Sequence, residues 1–157
     1  MDEGMPLEGS LRDRLRAARA TKQAEHIEEL PIPGYGGQLV ARYRNLDYVE
    51  RRQIGLGVKG PSVPARELDA AADMLVRACV GVDAHVDGQV VPVKDGETPL
   101  KLGKALADYL GQDGAETDRQ AIFLIFPSQL SLMAHVEQLS ALQLAADDEI
   151  DGELAEN

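Results

Sequence analysis

The residues best suited to metal binding or nucleophilic catalysis are few and lie far apart in the chain. His26, His85 and His135 form no i, i+4 pair with another histidine or cysteine, the spacing that places two metal ligands on one face of a helix. His85 would share a strand face with Asp83 and Asp87, but a solvated strand beside a turn explains this pattern better. We therefore expect no metal site.

The single cysteine, Cys79, lies on the apolar face of a predicted helix, where we expect a buried and inert thiol. A nucleophilic cysteine needs a nearby base and an electropositive setting. The glycines at 34–37 join two predicted strands, and those at 55–57 lack the GK[ST] ending of a phosphate-binding loop. No GxSxG motif occurs. The sequence thus predicts no catalytic or cofactor-binding residue, and it favours a binding protein over an enzyme.

Composition narrows the class of partner. The 157 residues carry 27 acidic and 16 basic side chains, a formal net charge of −11, which disfavours nucleic acids and anionic membranes. The same negative charge also favours solubility of the protein. One cysteine permits no intramolecular disulfide, which suits a reducing cytoplasm. No apolar run approaches the roughly 20 residues that span a bilayer.

Local signals define the first half of the predicted domain. Residues 10–25 predict a polar helix with a narrow apolar stripe of Leu11, Leu15 and Ala18. Two short β-like runs around a Pro/Gly cluster predict a hairpin at 26–45, and its prolines make the first run an edge strand. Asp47 predicts a helix N-terminus with a capping box.

The second half predicts four more helices and a second hairpin. Apolar spacing predicts a helix at 64–81, and Asp-Gly at 87–88 predicts a tight hairpin turn. Helices are expected at 99–110, at 118–126, where the unbroken apolar run predicts complete burial, and from 128 to about 145.

These elements predict one α+β domain that is mainly helical, with helices packed against one or two short β-hairpins. The predicted boundaries are a helical N-terminal arm at 1–25, a globular domain at 26–145 and an acidic tail at 146–157. The tail contains six acidic residues and no basic one, a composition typical of disorder.

The ordered set of motifs resembles a known family. The segment LPIPGYGGQLVARYRNLD, residues 30–47, resembles the start of tail assembly chaperones from long-tailed (siphovirus-type) actinobacterial phages. The segment ADMLVRACVG, residues 72–81, resembles the helix that follows, and the order of the later elements is also similar. The resemblance covers roughly residues 26–145.

This resemblance implies a chaperone in the host cytoplasm that binds the tape-measure protein and recruits tail-tube subunits. It implies no catalytic residue and no cofactor, and self-association stays open. Two alternatives compete with it: a structural virion protein, such as a tail-terminator or head–tail connector subunit, and a small enzyme or acidic mimic.

A chaperone for a long apolar helical protein needs an exposed apolar groove. We expect this groove between the last helix and the first hairpin, which carry more apolar positions than one small domain must bury. The basic residues near the hairpin would line its rim. The predicted partner-binding residues are Leu39, Arg42, Tyr43, Arg44, Leu132, Val136 and Leu139.

Overall fold

A computed structural model describes the backbone of residues 7–58 and 60–156, and the side chains of residues 10–22, 26–58 and 60–147. The first six residues of the predicted arm and the last residue of the predicted tail lie outside this part. The described elements follow in the order α1 (Leu7–Glu25), β1 (Glu28–Pro31), β2 (Leu39–Tyr43), α2 (Tyr48–Leu56), α3 (Val63–Ala78), β3 (Cys79–Val86), β4 (Gln89–Pro92), β5 (Lys94–Asp95), β6 (Thr98–Pro99), α4 (Lys104–Tyr109), α5 (Asp118–Ile125) and α6 (Gln129–Glu156). This confirms the predicted α+β, mainly helical class.

Four strands form an antiparallel sheet in the order β1-β2-β3-β4. The predicted first hairpin is confirmed: β1 pairs with β2, with Leu30 opposite Ala41, and β1 lies at the sheet edge. In the turn between them, Gly34 has φ 94°, a conformation that glycine adopts without a steric penalty. Strand β2 also pairs with β3, with a register shift between Arg42 and Tyr43.

The second predicted hairpin is also confirmed. Asp87 and Gly88, with φ values of 52° and 74°, connect β3 to β4. Two consecutive residues with positive φ match the two-residue turn whose twist fits that of the flanking strands. Strands β5 and β6 form a separate two-stranded sheet.

Side-chain caps lie at the start of α2, α3, α5 and α6. The Asp47 side chain accepts a hydrogen bond from the Glu50 backbone at 2.8 Å, and the Glu50 carboxylate accepts one from the Asp47 backbone at 3.5 Å, which completes the predicted capping box of α2. Ser62 and Thr117 cap α3 and α5, and the Ser128 hydroxyl accepts a hydrogen bond from the Ser131 backbone at 3.1 Å near the start of α6.

Helices α3 and α4 have boundaries that differ from the sequence prediction. Helix α3 ends at Ala78, before the predicted stop at Gly81, because Cys79 already belongs to β3 and pairs with β2. Helix α4 begins at Lys104 rather than 99, because Thr98 and Pro99 pair with β5 and the Leu100 backbone donates a hydrogen bond to the Val93 carbonyl. This extended segment buries Leu100 and Leu102.

The predicted complete burial of α5 is wrong. Ala121, Ile122 and Ile125 are at most 2% exposed, whereas Phe123 and Leu124 are 40% and 38% exposed. The helix therefore has one buried face, because only one side of it packs against α3 and α4.

Helix α6 packs against α3 and β1 and differs from the prediction at its C-terminal end. It continues to Glu156, through the segment whose acidic composition predicts disorder. Asp147, the first acidic residue there, forms an ion pair with Arg51 on α2 at 2.8 Å. Within the described residues, no helix has the length and apolar content needed to cross a membrane.

Candidate binding groove

The groove expected between the last helix and the first hairpin is not exposed, so that prediction is wrong. Leu39 is 6% exposed, and Tyr43, Leu132 and Leu139 are at most 1% exposed. These four side chains belong to one hydrophobic core, because the sheet and α6 pack directly on each other. Of the predicted apolar contact residues, Val136 alone is partly buried rather than fully buried.

The two predicted rim arginines form intramolecular ion pairs. Arg42 Nε lies 3.1 Å from Asp83 Oδ2 on the neighbouring strand and pairs with it by charge, without a hydrogen bond at this nitrogen. Arg44 forms a two-point contact with Glu50, with one hydrogen bond at 2.7 Å. This hydrogen bond is the main cause that raises the pKa of Arg44 and lowers that of Glu50. Both arginines thus hold neighbouring elements together.

Tyr43 and His135 form a polar contact inside the core. The Tyr43 hydroxyl lies 2.7 Å from His135 Nε2, and Phe126 meets the same imidazole edge-to-face, with ring centroids 5.1 Å apart. His135 also forms a hydrogen bond to the backbone of Pro31, which can only accept because proline has no N–H. The neutral imidazole therefore donates to Pro31 and accepts from Tyr43, and this fixes α6 against the sheet.

An open apolar groove lies on the other side of α6, between α3 and α6. Leu46, Ile54 and Ala71 lie at its base and are at most 8% exposed. The remaining lining residues come mainly from α3 and α6, and the cavity volume is about 450 Å³. These lining residues are Arg51, Glu67, Ala70, Met74, Met133, Val136, Ser140, Gln143 and Leu144.

A second depression of about 240 Å³ continues the first along the same two helices. It shares Glu67 and Met133 with the larger cavity and adds Leu68 and Leu130. Together the two form what we call the α3–α6 groove. It spans Leu130 to Leu144, about 21 Å along α6 at 1.5 Å per residue. Leu130 is 81% exposed and Leu144 is 61% exposed, so both ends present apolar surface.

A polar cluster closes the Leu144 end of the groove. Gln143 donates a hydrogen bond to the Arg44 carbonyl at 3.0 Å, and Arg51 donates one to the Asn45 side chain at 2.8 Å. Asp147 contacts both Asn45 and Arg51. These bonds tie α6 to the start of α2 and keep that end of the groove in a defined shape.

The lining suits a helical ligand of variable sequence. Methionine has an unbranched and polarisable side chain that fits irregular partners, and one methionine projects from each wall, Met74 and Met133. The Ser140 hydroxyl lies 3.9 Å from the Met74 sulfur, a contact that joins α6 to α3. A groove between two helices can bind the apolar face of an amphipathic helix.

The sequence of α6 contains a pattern that indicates the α3–α6 groove. The core residues Leu132, His135 and Leu139 form one stripe, and a second apolar stripe follows at Leu130, Met133 and Leu144. A helix with two apolar stripes must either be buried on both sides or expose one. The sequence could not indicate which stripe would be exposed.

The histidines and the cysteine considered for metal binding or catalysis do not line this groove. Cys79 is buried as predicted, and burial raises the pKa of its thiol. Among the described side chains, no group of three histidine, cysteine, aspartate or glutamate residues is placed to hold a metal ion.

Comparisons with known protein families, curated proteins and solved structures found no match to this chain.

Proposed function

We propose that this protein is a phage tail assembly chaperone that binds a helical segment of the tape-measure protein in the α3–α6 groove. In this proposal it acts in the host cytoplasm, recruits tail-tube subunits and has a binding role rather than a catalytic one. The partners are those implied by the family resemblance of residues 30–47 and 72–81. The observation that carries the proposal is an open, methionine-lined groove between two helices.

The dimensions and charge of the molecule support this function. The groove follows about 21 Å of α6, which corresponds to four turns of a bound helix. Its walls are mainly apolar, so burial of an apolar helix face would supply the binding free energy. The formal net charge of −11 would keep a complex with an aggregation-prone partner in solution.

The test is co-expression with the tape-measure protein, followed by pull-down at low and high salt. Met133→Asp combined with Leu144→Asp is expected to weaken binding by at least about tenfold, because each lost apolar contact is worth about 1.5–3 kcal/mol when fully buried. Binding by the unmodified chain should persist in high salt, since the contact is apolar. Helical content and melting temperature should establish that the variant is folded.

Leu56→Asp combined with Val90→Asp is the matched control. Both side chains are exposed, at 77% and 61%, and neither lines the groove. This variant should bind the tape-measure protein like the unmodified chain. Equal binding by the groove variant, or loss of binding in salt alone, would contradict the proposal. A stoichiometric amount of the protein in purified particles would favour a structural virion protein instead.

A further inference from the structure

We infer that helix α1 of a second copy of this chain also docks in the α3–α6 groove. A helix of the tape-measure protein, the client, would then have to displace α1 from the groove. This competition rests on the proposed function. Each copy carries one such helix and one such groove. Self-association would therefore shield the apolar groove until a client is present.

Helix α1 presents an apolar stripe to solvent. Leu11 and Leu15 are 53% and 62% exposed, and with Ala18 they follow the i, i+4, i+7 spacing that places side chains on one helix face. The helix has 19 residues, a length of about 28 Å, which covers the roughly 21 Å of the groove. Docking would bury the stripe that the isolated chain leaves exposed.

The charges of α1 and of the remaining chain are opposite in sign. Residues 7–25 contain five basic and three acidic side chains, whereas residues 26–157 contain 22 acidic and 11 basic ones. Glu67 lines both parts of the groove and is exposed, as is Glu137, one turn after Met133 on α6. Residues 147–156, the C-terminal part of α6, contain six acids. The first of them, Asp147, pairs with Arg51, a basic residue that lines the groove. A basic helix is thus attracted to a groove with acidic surroundings.

A second copy fits this groove better than the chain's own α1. Only residues 26 and 27 connect α1 to β1, and β1 is held in the sheet by its pairing with β2. In this arrangement the Leu11 and Leu15 side chains are exposed while the groove is open. The apolar stripe of α1 is therefore available to another copy.

The experiment mixes two complementary variants of the full chain. The arm variant, Leu11→Asp with Leu15→Asp, has an intact groove. The groove variant, Met133→Asp with Leu144→Asp, has an intact α1. Light scattering after size exclusion should show the unmodified chain self-associated and each variant alone monomeric. A 1:1 mixture should form a complex of two chains, because one intact α1 meets one intact groove.

The outcomes separate this inference from its alternatives. Leu56→Asp with Val90→Asp should self-associate like the unmodified chain. High salt should raise the dissociation constant of the mixed complex, because it screens attraction between α1 and the acidic surroundings. A monomeric unmodified chain, which docking of α1 in its own groove would produce, overturns the inference. So does a mixture that stays monomeric, or either variant assembling alone.

The arm variant also separates the two proposals. Its groove is intact and free of competing α1, so it should bind the tape-measure protein at least as tightly as the unmodified chain does. If the mixed complex forms but the arm variant does not bind the tape-measure protein, α1 docking stands and the proposed function fails. If the arm variant binds that protein but no mixed complex forms, the docking of α1 fails and the proposed function stands.

Discussion

Leu75→Ala is expected to lower the free energy of unfolding by about 2–5 kcal/mol, the range for leucine truncations in well-packed cores. Leu75 is 0% exposed and lies on α3, which packs against α2, α5 and α6. Removing its side chain would leave a cavity among elements that are tied together by several contacts, so the surroundings can relax only partly. Denaturant unfolding measures this change.

Leu130→Ala is the matched control for that measurement. It removes the same atoms from a side chain that is 81% exposed, so the expected change is below about 0.5 kcal/mol. A loss below about 0.5 kcal/mol for Leu75→Ala would show that Leu75 does not pack in the core. Similar losses for both leucines would show that the effect does not depend on burial in the core.

As the pH falls, protonation of His135 is expected to destabilise the fold before protonation of the carboxylates does. Burial, opposed by the hydrogen bond to Pro31, lowers the pKa of His135 from 6.5 to about 4. Between these values the unfolded chain binds a proton at His135 and the folded chain does not. Stability is therefore fully present above about pH 6.5 and decreases as the pH falls towards 4, by up to about 3 kcal/mol at 1.36 kcal/mol per pKa unit.

The carboxylate contribution lies lower on the pH scale. The hydrogen bond from Arg44 lowers the pKa of Glu50 below 4.5, so the stability from this group is present above about pH 4.5 and is lost below it. Unfolding measured between pH 6.5 and 4.5 therefore separates His135 from Glu50.

Two variants test the role of His135. His135→Gln removes the titrating ring and should flatten the dependence of unfolding free energy on pH between 6.5 and 4.5. Tyr43→Phe removes the hydroxyl at 2.7 Å but keeps the titrating ring, so it should lower stability while the pH dependence persists. An unchanged slope in His135→Gln would assign the acid sensitivity to other groups.

The revised location of the candidate groove changes which variants can test binding. Leu132→Asp would place a charge at a position that is 1% exposed, where an unpaired carboxylate is strongly destabilising. Charge reversal at Arg42 or Arg44 would break contacts with Asp83 or Glu50. Met133 and Leu144 line the α3–α6 groove, and Leu144 is largely exposed, so changes there report on binding more directly.

The sequence by itself determined the local elements, because their signals act over a few residues. The Asp47–Glu50 capping box and the Asp87-Gly88 turn depend on hydrogen bonds and backbone angles within four residues. The apolar spacing on α3 likewise depends only on the helical repeat. These signals identified the fold class, both hairpins and the beginnings of α2 and α5.

Only the tertiary structure decided which apolar surfaces are buried against each other. Leu132 and Met133 are adjacent in sequence, yet the first is in the core and the second lines the groove. Likewise, Phe123 and Leu124 are partly exposed although their segment is uniformly apolar. The physical reason is that burial depends on contacts between elements distant in sequence, here α6 with α3 and β1, and hydrophobic attraction has no direction of its own that a local pattern could encode.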